Sequence, residues 1–315
     1  MLAFLSWKFV EQPFRKSNSS SKVIFSLTAS ASALLACLGL GIHFADGFAS
    51  RLSSVSNRYA DGLDDSPPRH DLTFENVKDG KTIPMGLAMA GQKSQVFLWG
   101  DSHAQGIYSV MDHVCNERGI AGEAAIRNAS LPVIDYSYHP RNIRRVSEEA
   151  YNRAVFDYIQ NQQFEIVVLA ARWNYYLENS SFNQERVHNA ILAVLDQLRL
   201  IVPTVVIVDQ VPEPRLDVPR YLAYQSWHRS ELGEIDWIES DHELRIQEEF
   251  LGLLEQKKGV VILDTAEYFM DSTRALLQLS DGGRCLYIDG NHLSRQRASR
   301  LASVFDDLLS SYSVK

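Results

Sequence analysis

Cysteine is scarce in this chain: three in 315 residues, Cys37, Cys115 and Cys285. That excludes a disulfide-built scaffold and leaves no paired cysteine spacing of the kind a zinc site uses. A basic surplus is missing as well. Thirty-one Lys and Arg stand against 39 Asp and Glu, for a formal net charge of −8. Without a broad basic face there is little to neutralise phosphates, which argues against a nucleic-acid partner. Internal repeats are absent, and 17 Gly with 10 Pro fall short of collagen or low-complexity disorder. What remains is an ordinary globular balance, 45% hydrophobic and 22% charged, long enough for one large domain and an additional piece.

That piece lies near the N-terminus. Val23 to Ala45, VIFSLTASASALLACLGLGIHFA, carries no Asp, Glu, Lys or Arg, and as a helix it would cross about 30 Å of hydrocarbon. Lys8, Arg15, Lys16 and Lys22 precede it against the single acid Glu11, whereas mixed charges follow. The positive-inside rule then keeps the N-terminus in the cytoplasm and exports everything after residue 46. A leader cleaved at Gly47–Ala49 is the competing reading, disfavoured because the run exceeds a signal core of about 7–15 residues. Both readings export the bulk of the chain. Residues 1–16 read as a truncated membrane helix or an interfacial amphipathic start, 17–22 as a connector, 23–45 as the span, and 46–93, punctuated by Pro67, Pro68, Pro84 and Gly86, as linker.

From Ser94 short apolar runs alternate with amphipathic stretches. Gln95–Trp99, Ala121–Ile126, Glu165–Ala171, Thr204–Asp209 and Val260–Leu263 read as buried strands. Val187, Ala190, Ile191, Val194, Leu195 and Leu198 recur at helical spacing, as do Leu301, Val304, Phe305, Leu308 and Leu309. Residues 94–315 are therefore expected to form an α/β domain, a doubly wound, mostly parallel sheet flanked by helices and preceded by the transmembrane helix. In such sheets ligands bind at the carboxyl ends of strands.

Two motifs fall at such ends. The first strand runs straight into Gly100-Asp101-Ser102-His103. A hydroxyl at a strand-to-helix turn is rigidly held, exposed and close to a helix N-terminus, which suits a nucleophile. Asp101 or Ser102 could equally cap the helix. Before the last helix comes Asp289-Gly290-Asn291-His292-Leu293-Ser294, with Ser294 as N-cap. That spacing lets Asp289 fold back onto His292 Nδ1, fix the tautomer and leave Nε2 to take a proton from Ser102. An ordinary polar turn is the bland alternative.

Gly100-Asp101-Ser102 and Asp289-x-x-His292 resemble the first and last blocks of the SGNH (GDSL-type) hydrolases. The longer forms, Leu98–His103 and Tyr287–Ser294, with Ala170-Ala171-Arg172-Trp173, are similar to the SGNH domain fused to acyltransferase-3 membrane proteins. Phe9-Val10-Glu11-Gln12-Pro13-Phe14-Arg15 resembles the closing motif of the acyltransferase-3 bundle, so the chain looks like the C-terminal portion of such a protein. The resemblance implies serine acyl chemistry, with Ser102, Asp289 and His292 catalytic. It implies an oxyanion site from the second and third blocks, where Ser130, by its backbone N–H, and Asn174 stand here, Arg172 being the other candidate. The second block, Asn128–Pro132, lacks the family's glycine. Asp101, Arg172 and Trp173 are expected to face substrate.

Cys115 and Cys285 remain as an even pair in an exported domain, so either a disulfide bracing the Asp289 turn or two buried thiols is expected. His103 is expected to face solvent or cap backbone. His113, His139, His188, His228 and His242 lack metal-ligand spacing, and neither metal nor cofactor is called for. The loop Val211–Arg220 with Tyr221, Tyr224, Trp227 and Trp237 suits either a carbohydrate face or packing, and so does Trp173. Two functions are carried forward. One is an O-acyltransferase or esterase moving acetyl groups on or off a cell-envelope polysaccharide at the inner membrane, its domain on the periplasmic or extracellular side, working with a separate acyltransferase-3 protein or with water. The other is a non-catalytic, membrane-anchored glycan-binding or assembly module.

Overall fold

The structure is a computed structural model that describes residues 20–45, 47–87, 92–136, 143–178, 184–228, 237–239, 259–270 and 276–311, with positions 4, 7, 8, 12, 250–252, 254 and 257. The motif at 9–15, apart from Gln12, and His139 and His242 lie outside these residues. The chain divides into two units, Met1–Ser53 and Ser54–Lys315.

The first unit is dominated by α1 (Ser21–Phe44), 24 residues with no buried side chain. Beyond Lys22 in its first turn it carries no Asp, Glu, Lys or Arg, so it has no charged face to turn to water. At about 36 Å it is the one helix among the described residues long and apolar enough to cross a membrane.

The second unit begins earlier than the sequence suggests. Within the stretch read as linker lie α2 (Ser54–Ala60), α3 (Phe74–Lys78) and β1 (Ile83–Gly86), and β1 pairs antiparallel with β3 (Ala121–Ile126). Residues 54–87 are therefore part of the domain, and the linker reading is corrected. The cause is visible locally. Pro84 sits on an edge strand, where a missing N–H costs nothing, and Thr73 closes a capping box with Asn76 to start α3.

Between β1 and β3 come β2 (Val96–Gly100) and α4 (Ser102–Arg118). Beyond β3 follow α5 (Ile143–Gln162), β4 (Ile166–Ala170), α6 (Trp173–Glu178), α7 (Gln184–Leu198), β5 (Thr204–Val208), α8 (Val218–His228), β6 (Trp237–Glu239) and β7 (Val260–Leu263). The last part of the chain holds β8 (Leu276–Gln278), β9 (Ser280–Asp281), β10 (Arg284–Cys285), α9 (Arg295–Ala298) and α10 (Ala302–Ser311). The main sheet runs β1-β3-β2-β4-β5-β7, parallel at every pairing except β1 with β3.

Strand residues alternate between two apolar layers, as period-two geometry requires. Val96, Leu98, Val168 and Val206 join α4, α8 and α10 on one face. Phe97, Trp99, Val167 and Ile207 join α5 and α7 on the other. This is the doubly wound arrangement expected from the alternating pattern. Chain order reverses between β2, which leads to β3 on one side, and β4, which leads to β5 on the other. The crevice of such a fold opens at that switch point.

Candidate active site

Gly100 ends β2 against the backbone of β4. A methyl group there would lie 1.7 Å from the Ala170 carbonyl oxygen and 2.7 Å from Ala104 Cβ, so only glycine lets the strand turn into α4 at this point. Asp101 is the N-cap, its Oδ1 accepting from His103 N at 2.8 Å. Its Oδ2 accepts from Arg172 N at 3.1 Å and from Tyr176 Oη at 2.9 Å. Buried and held by three donors, Asp101 ties the ends of β2 and β4 together across the switch point. It does not face substrate, and that expectation is corrected.

The cap leaves Ser102 as the first residue of α4, half-exposed at the sheet edge. Its Oγ lies 2.9 Å from His292 Nε2. The imidazole arrives from a tight turn closed by Ile288 N donating to His292 O at 3.0 Å and by a bridge between Tyr287 and Leu293. Ser294 then caps α9 by accepting from Arg297 N. Within the turn Asp289 Oδ1 accepts from the backbone of Asn291 and of His292, each at 2.8 Å. Asp289 Oδ2 lies 2.7 Å from His292 Nδ1. Burial pushes the Asp289 carboxyl up, but the His292 ring and these two N–H groups outweigh it and bring its pKa down to about 2. The carboxylate is thus ionised near neutrality, Nδ1 must donate to it, and the lone pair of Nε2 faces the Ser102 hydroxyl. An imidazole so fixed can accept that proton as the oxygen attacks a carbonyl carbon.

His103 departs from the solvent-facing reading. It is half-buried, with Nε2 fully covered and its ring 5.4 Å from that of His292. Burial, partly opposed by Asp101, pushes its pKa down to about 4, so it adds no positive charge beside the pair near neutrality.

The expected oxyanion residues leave the sheet at the same edge. Ser130 is buried after β3, its Oγ donating to Asn152 Oδ1 at 3.4 Å. The preceding Ala129 takes φ +53°, a left-handed geometry that glycine adopts more freely than alanine. Asn174, in the first turn of α6, donates its backbone N–H to Gln210 Oε1 at 2.6 Å, so any donor it offers to a ligand is its side-chain amide.

One further expectation is corrected, that for Trp173, and of the two alternatives for the cysteines the buried thiols are the one found. Trp173 is fully buried, donates Nε1–H to Val208 O at 2.9 Å and stacks on Phe250 at 5.3 Å, so it belongs to the core. Cys115 and Cys285 are both free and buried. Cys115 packs beside Gly86, whereas Cys285 Sγ contacts Tyr59 O at 3.4 Å. Burial, and more weakly Asp112 and Asp217 respectively, push both thiols up to about 12, which keeps them protonated and unreactive.

Arg172 is one-third exposed and binds Glu213 through two bonds, Nε to Oε1 at 2.7 Å and Nη2 to Oε2 at 2.6 Å. Glu213 comes from the proline-rich loop after β5, which the sequence singled out for its position. That loop docks on the catalytic turn. Arg215 N donates to Gly290 O at 3.1 Å and Tyr287 Oη to Pro212 O at 2.7 Å. Gly290 packs so closely that a methyl on it would approach Leu216 O at 3.2 Å. A cleft of about 620 Å³ opens between α6, this loop and the turn, with Gly290 and Asn291 in its wall. Tyr175, Glu178 and Arg215 also line it. Arg215 belongs to the loop singled out in the sequence; sequence reasoning passed over Tyr175 and Glu178, because an exposed Tyr and Glu are unremarkable until the fold brings them together. Among the described residues no cluster of His, Cys, Asp and Glu could hold a metal ion.

A parallel-dominant doubly wound sheet with serine, histidine and aspartate meeting at its switch point defines an SGNH/GDSL-like α/β domain. The chain belongs to the SGNH domain family whose members are fused to AT3 domains, the family profile matching residues 69–307. Among solved structures it is similar to the periplasmic domain of the lipopolysaccharide acetyltransferase of Salmonella ser. Paratyphi A. The identity is 12%, the match covers 84% of this chain and 98% of that one, and the TM-score is 0.56. A GDSL-like lipase from Bacteroides thetaiotaomicron VPI-5482 matches at 10% identity over 76% of this chain and 96% of the other, with a TM-score of 0.46. No match was found among curated proteins. At these identities the likeness is one of fold.

Proposed function

We propose that this protein is an O-acyltransferase or esterase working through an acyl-serine. Ser102 Oγ attacks the carbonyl carbon of an acyl ester while His292 Nε2 takes its proton. The tetrahedral oxyanion is held by the Ser130 backbone N–H and the Asn174 side chain, and it collapses as His292 returns the proton to the leaving oxygen. A sugar hydroxyl or water then repeats the sequence in reverse and frees Ser102. Asp289 holds the imidazole in register and balances the imidazolium. The observation that carries this reading is the relay from Ser102 Oγ through His292, 2.9 Å and then 2.7 Å. A purely binding module has no use for an imidazole aligned on a hydroxyl.

The acyl group is acetyl and the acceptor a cell-envelope polysaccharide. Membership of the AT3-fused SGNH family and the fold shared with a lipopolysaccharide acetyltransferase periplasmic domain support this. The apolar α1 anchors the chain in the inner membrane and the SGNH domain works outside it, supplied with acyl groups by a separate acyltransferase-3 protein. The test is incubation of the full-length chain with p-nitrophenyl acetate followed by peptide mass spectrometry. The expected result is p-nitrophenol release with acetyl on Ser102, both lost in Ser102→Ala. A folded wild-type chain that neither turns over nor acetylates overturns the reading.

A further inference from the structure

Asn174, the proposed oxyanion donor, is held by a buried polar chain that comes from another part of the sequence. Its backbone N–H donates to Gln210 Oε1 at 2.6 Å, and Gln210 Nε2 donates to Glu213 Oε1 at 2.6 Å. That same Glu213 oxygen accepts from Arg172 Nε at 2.7 Å, while Oε2 accepts from Arg172 Nη2 at 2.6 Å. Asn174, Gln210 and Glu213 are each only 3% exposed, so water does not compete for these bonds. The chain closes a circuit. It leaves the end of β4 at Arg172, crosses to the loop after β5, and returns two residues later to the first turn of α6.

The chemistry at its two ends leaves the Gln210 amide a single orientation. A backbone N–H can only donate and a carboxylate can only accept, so the amide oxygen must face Asn174 and the NH2 group Glu213. Turned over, the amide would set donor against donor at one end and acceptor against acceptor at the other. In a buried site each mismatch leaves desolvated groups without a bond. Glu213 enforces the choice, because its two oxygens serve three donors, two from Arg172 and one from Gln210. A carboxamide in its place has one oxygen, and its own NH2 group would confront a donor. A buried ion pair is weak as a source of stability; what this one supplies is direction.

The loop carrying Gln210 and Glu213 also docks on the catalytic turn, through Pro212 O and Arg215 N. It therefore meets the Asn174 turn on one side and the Asp289–His292 turn on the other. We infer that Gln210 and Glu213 are positioning residues, which act through Asn174 by fixing where its side-chain amide stands relative to Ser102 and His292. The inference rests on the acyl-serine reading, in which that amide holds the oxyanion.

The test is a double-mutant cycle between Glu213→Gln and Asn174→Ala in the full-length chain, read by p-nitrophenyl acetate turnover with a thermal melt of each variant. Removing one oxyanion donor costs about 10²–10³-fold in kcat, so displacing it through Glu213→Gln should cost at least about tenfold, with KM held within about twofold. In the Asn174→Ala background the same substitution should cost less than about twofold, because the group it positions is gone. Gln210→Ala, which leaves the Arg172–Glu213 pair in place, should behave alike and replaces Glu213→Gln in the cycle if that variant melts early. Turnover of the positioning variant within about twofold of wild type, equal losses in both backgrounds, or an undiminished kcat in Asn174→Ala overturns the inference. A folded wild-type chain without turnover defeats the acyl-serine reading and this inference together. Wild-type turnover that is lost in Ser102→Ala, combined with additive losses in the cycle, defeats the inference alone and leaves acyl chemistry standing.

Discussion

Replacing Asp289 by asparagine exchanges one oxygen for an NH2 group and should nearly abolish turnover. The backbone N–H groups of Asn291 and His292 both point at Asp289 Oδ1 from 2.8 Å. Each needs an acceptor, so the carboxamide oxygen of the substituted side chain must occupy that position. Its NH2 group then falls where Oδ2 stood, 2.7 Å from His292 Nδ1. Two donors cannot face each other, and Nδ1 must give up its hydrogen to become the acceptor. The proton moves to Nε2, which now points a hydrogen at Ser102 Oγ in place of a lone pair. A general base in the wrong tautomer costs about 10⁴-fold in kcat, or about 5.5 kcal/mol of transition-state stabilisation. The fold should barely notice, since both backbone hydrogen bonds survive. A loss of about 1 kcal/mol, a few degrees in melting temperature, is expected. The assay is p-nitrophenyl acetate turnover of the full-length Asp289→Asn chain alongside a thermal melt. A fall in kcat below about tenfold, with the melt unchanged, refutes the argument that the tautomer of His292 governs the chemistry.

Gly100→Ala forces a methyl to within 1.7 Å of the Ala170 carbonyl oxygen, between two central strands that cannot part; a loss of about 3 kcal/mol or more is expected in chemical denaturation, and less than about 1 kcal/mol contradicts the packing described. Arg297→Ala removes a fully buried guanidinium that donates to Gln278 O and Phe269 O at 2.8 and 2.9 Å, leaving two carbonyls and a cavity; about 3 kcal/mol or more should be lost, measured in urea. His103 binds its proton only near pH 4 in the folded chain, against an ordinary 6.5. The unfolded chain therefore takes up a proton first as pH falls, and stability contributed by neutral His103 declines between those values. His103→Asn should flatten the stability–pH curve there, and superimposable curves contradict a neutral buried ring. For Asp289 the sign is opposite in origin: its pKa is depressed to about 2, so its contribution is full above the ordinary carboxylate range and is lost as pH falls toward 2. The stability difference between wild type and Asp289→Asn should stay constant from neutrality to about pH 5 and shrink below about pH 4.

The five parallel strands were legible because they are apolar almost throughout, Glu123 in β3 being the one charged residue among them. Val96–Gly100, Ile166–Ala170 and Thr204–Val208 are buried along their whole length, and burial on both sides leaves the residue pattern little freedom. Local turn chemistry likewise pointed to Ser102, Asp289 and His292 as neighbours, since glycine and Asx residues at strand ends carry their own geometric meaning. β1 was not legible: it is a four-residue edge strand containing Pro84 and a positive-φ Gly86, which reads as punctuation. Trp173 and Asp101 were misjudged because position at a strand end says nothing about which way a side chain turns. Trp173 turns into the layer under α7, and Asp101 is consumed by capping and by Tyr176. The pairing of Arg172 with Glu213 and of Arg215 with Glu178 joins residues 41 and 37 positions apart, a distance at which no local pattern operates.

The central claim is that Ser102 is a nucleophile activated by His292. A fluorophosphonate probe applied to the full-length chain and mapped by peptide mass spectrometry tests it most directly. Covalent modification of Ser102, absent in His292→Ala and in Ser102→Ala, is the predicted result. A folded wild-type chain that stays unmodified, or a label that persists in Ser102→Ala, would contradict it.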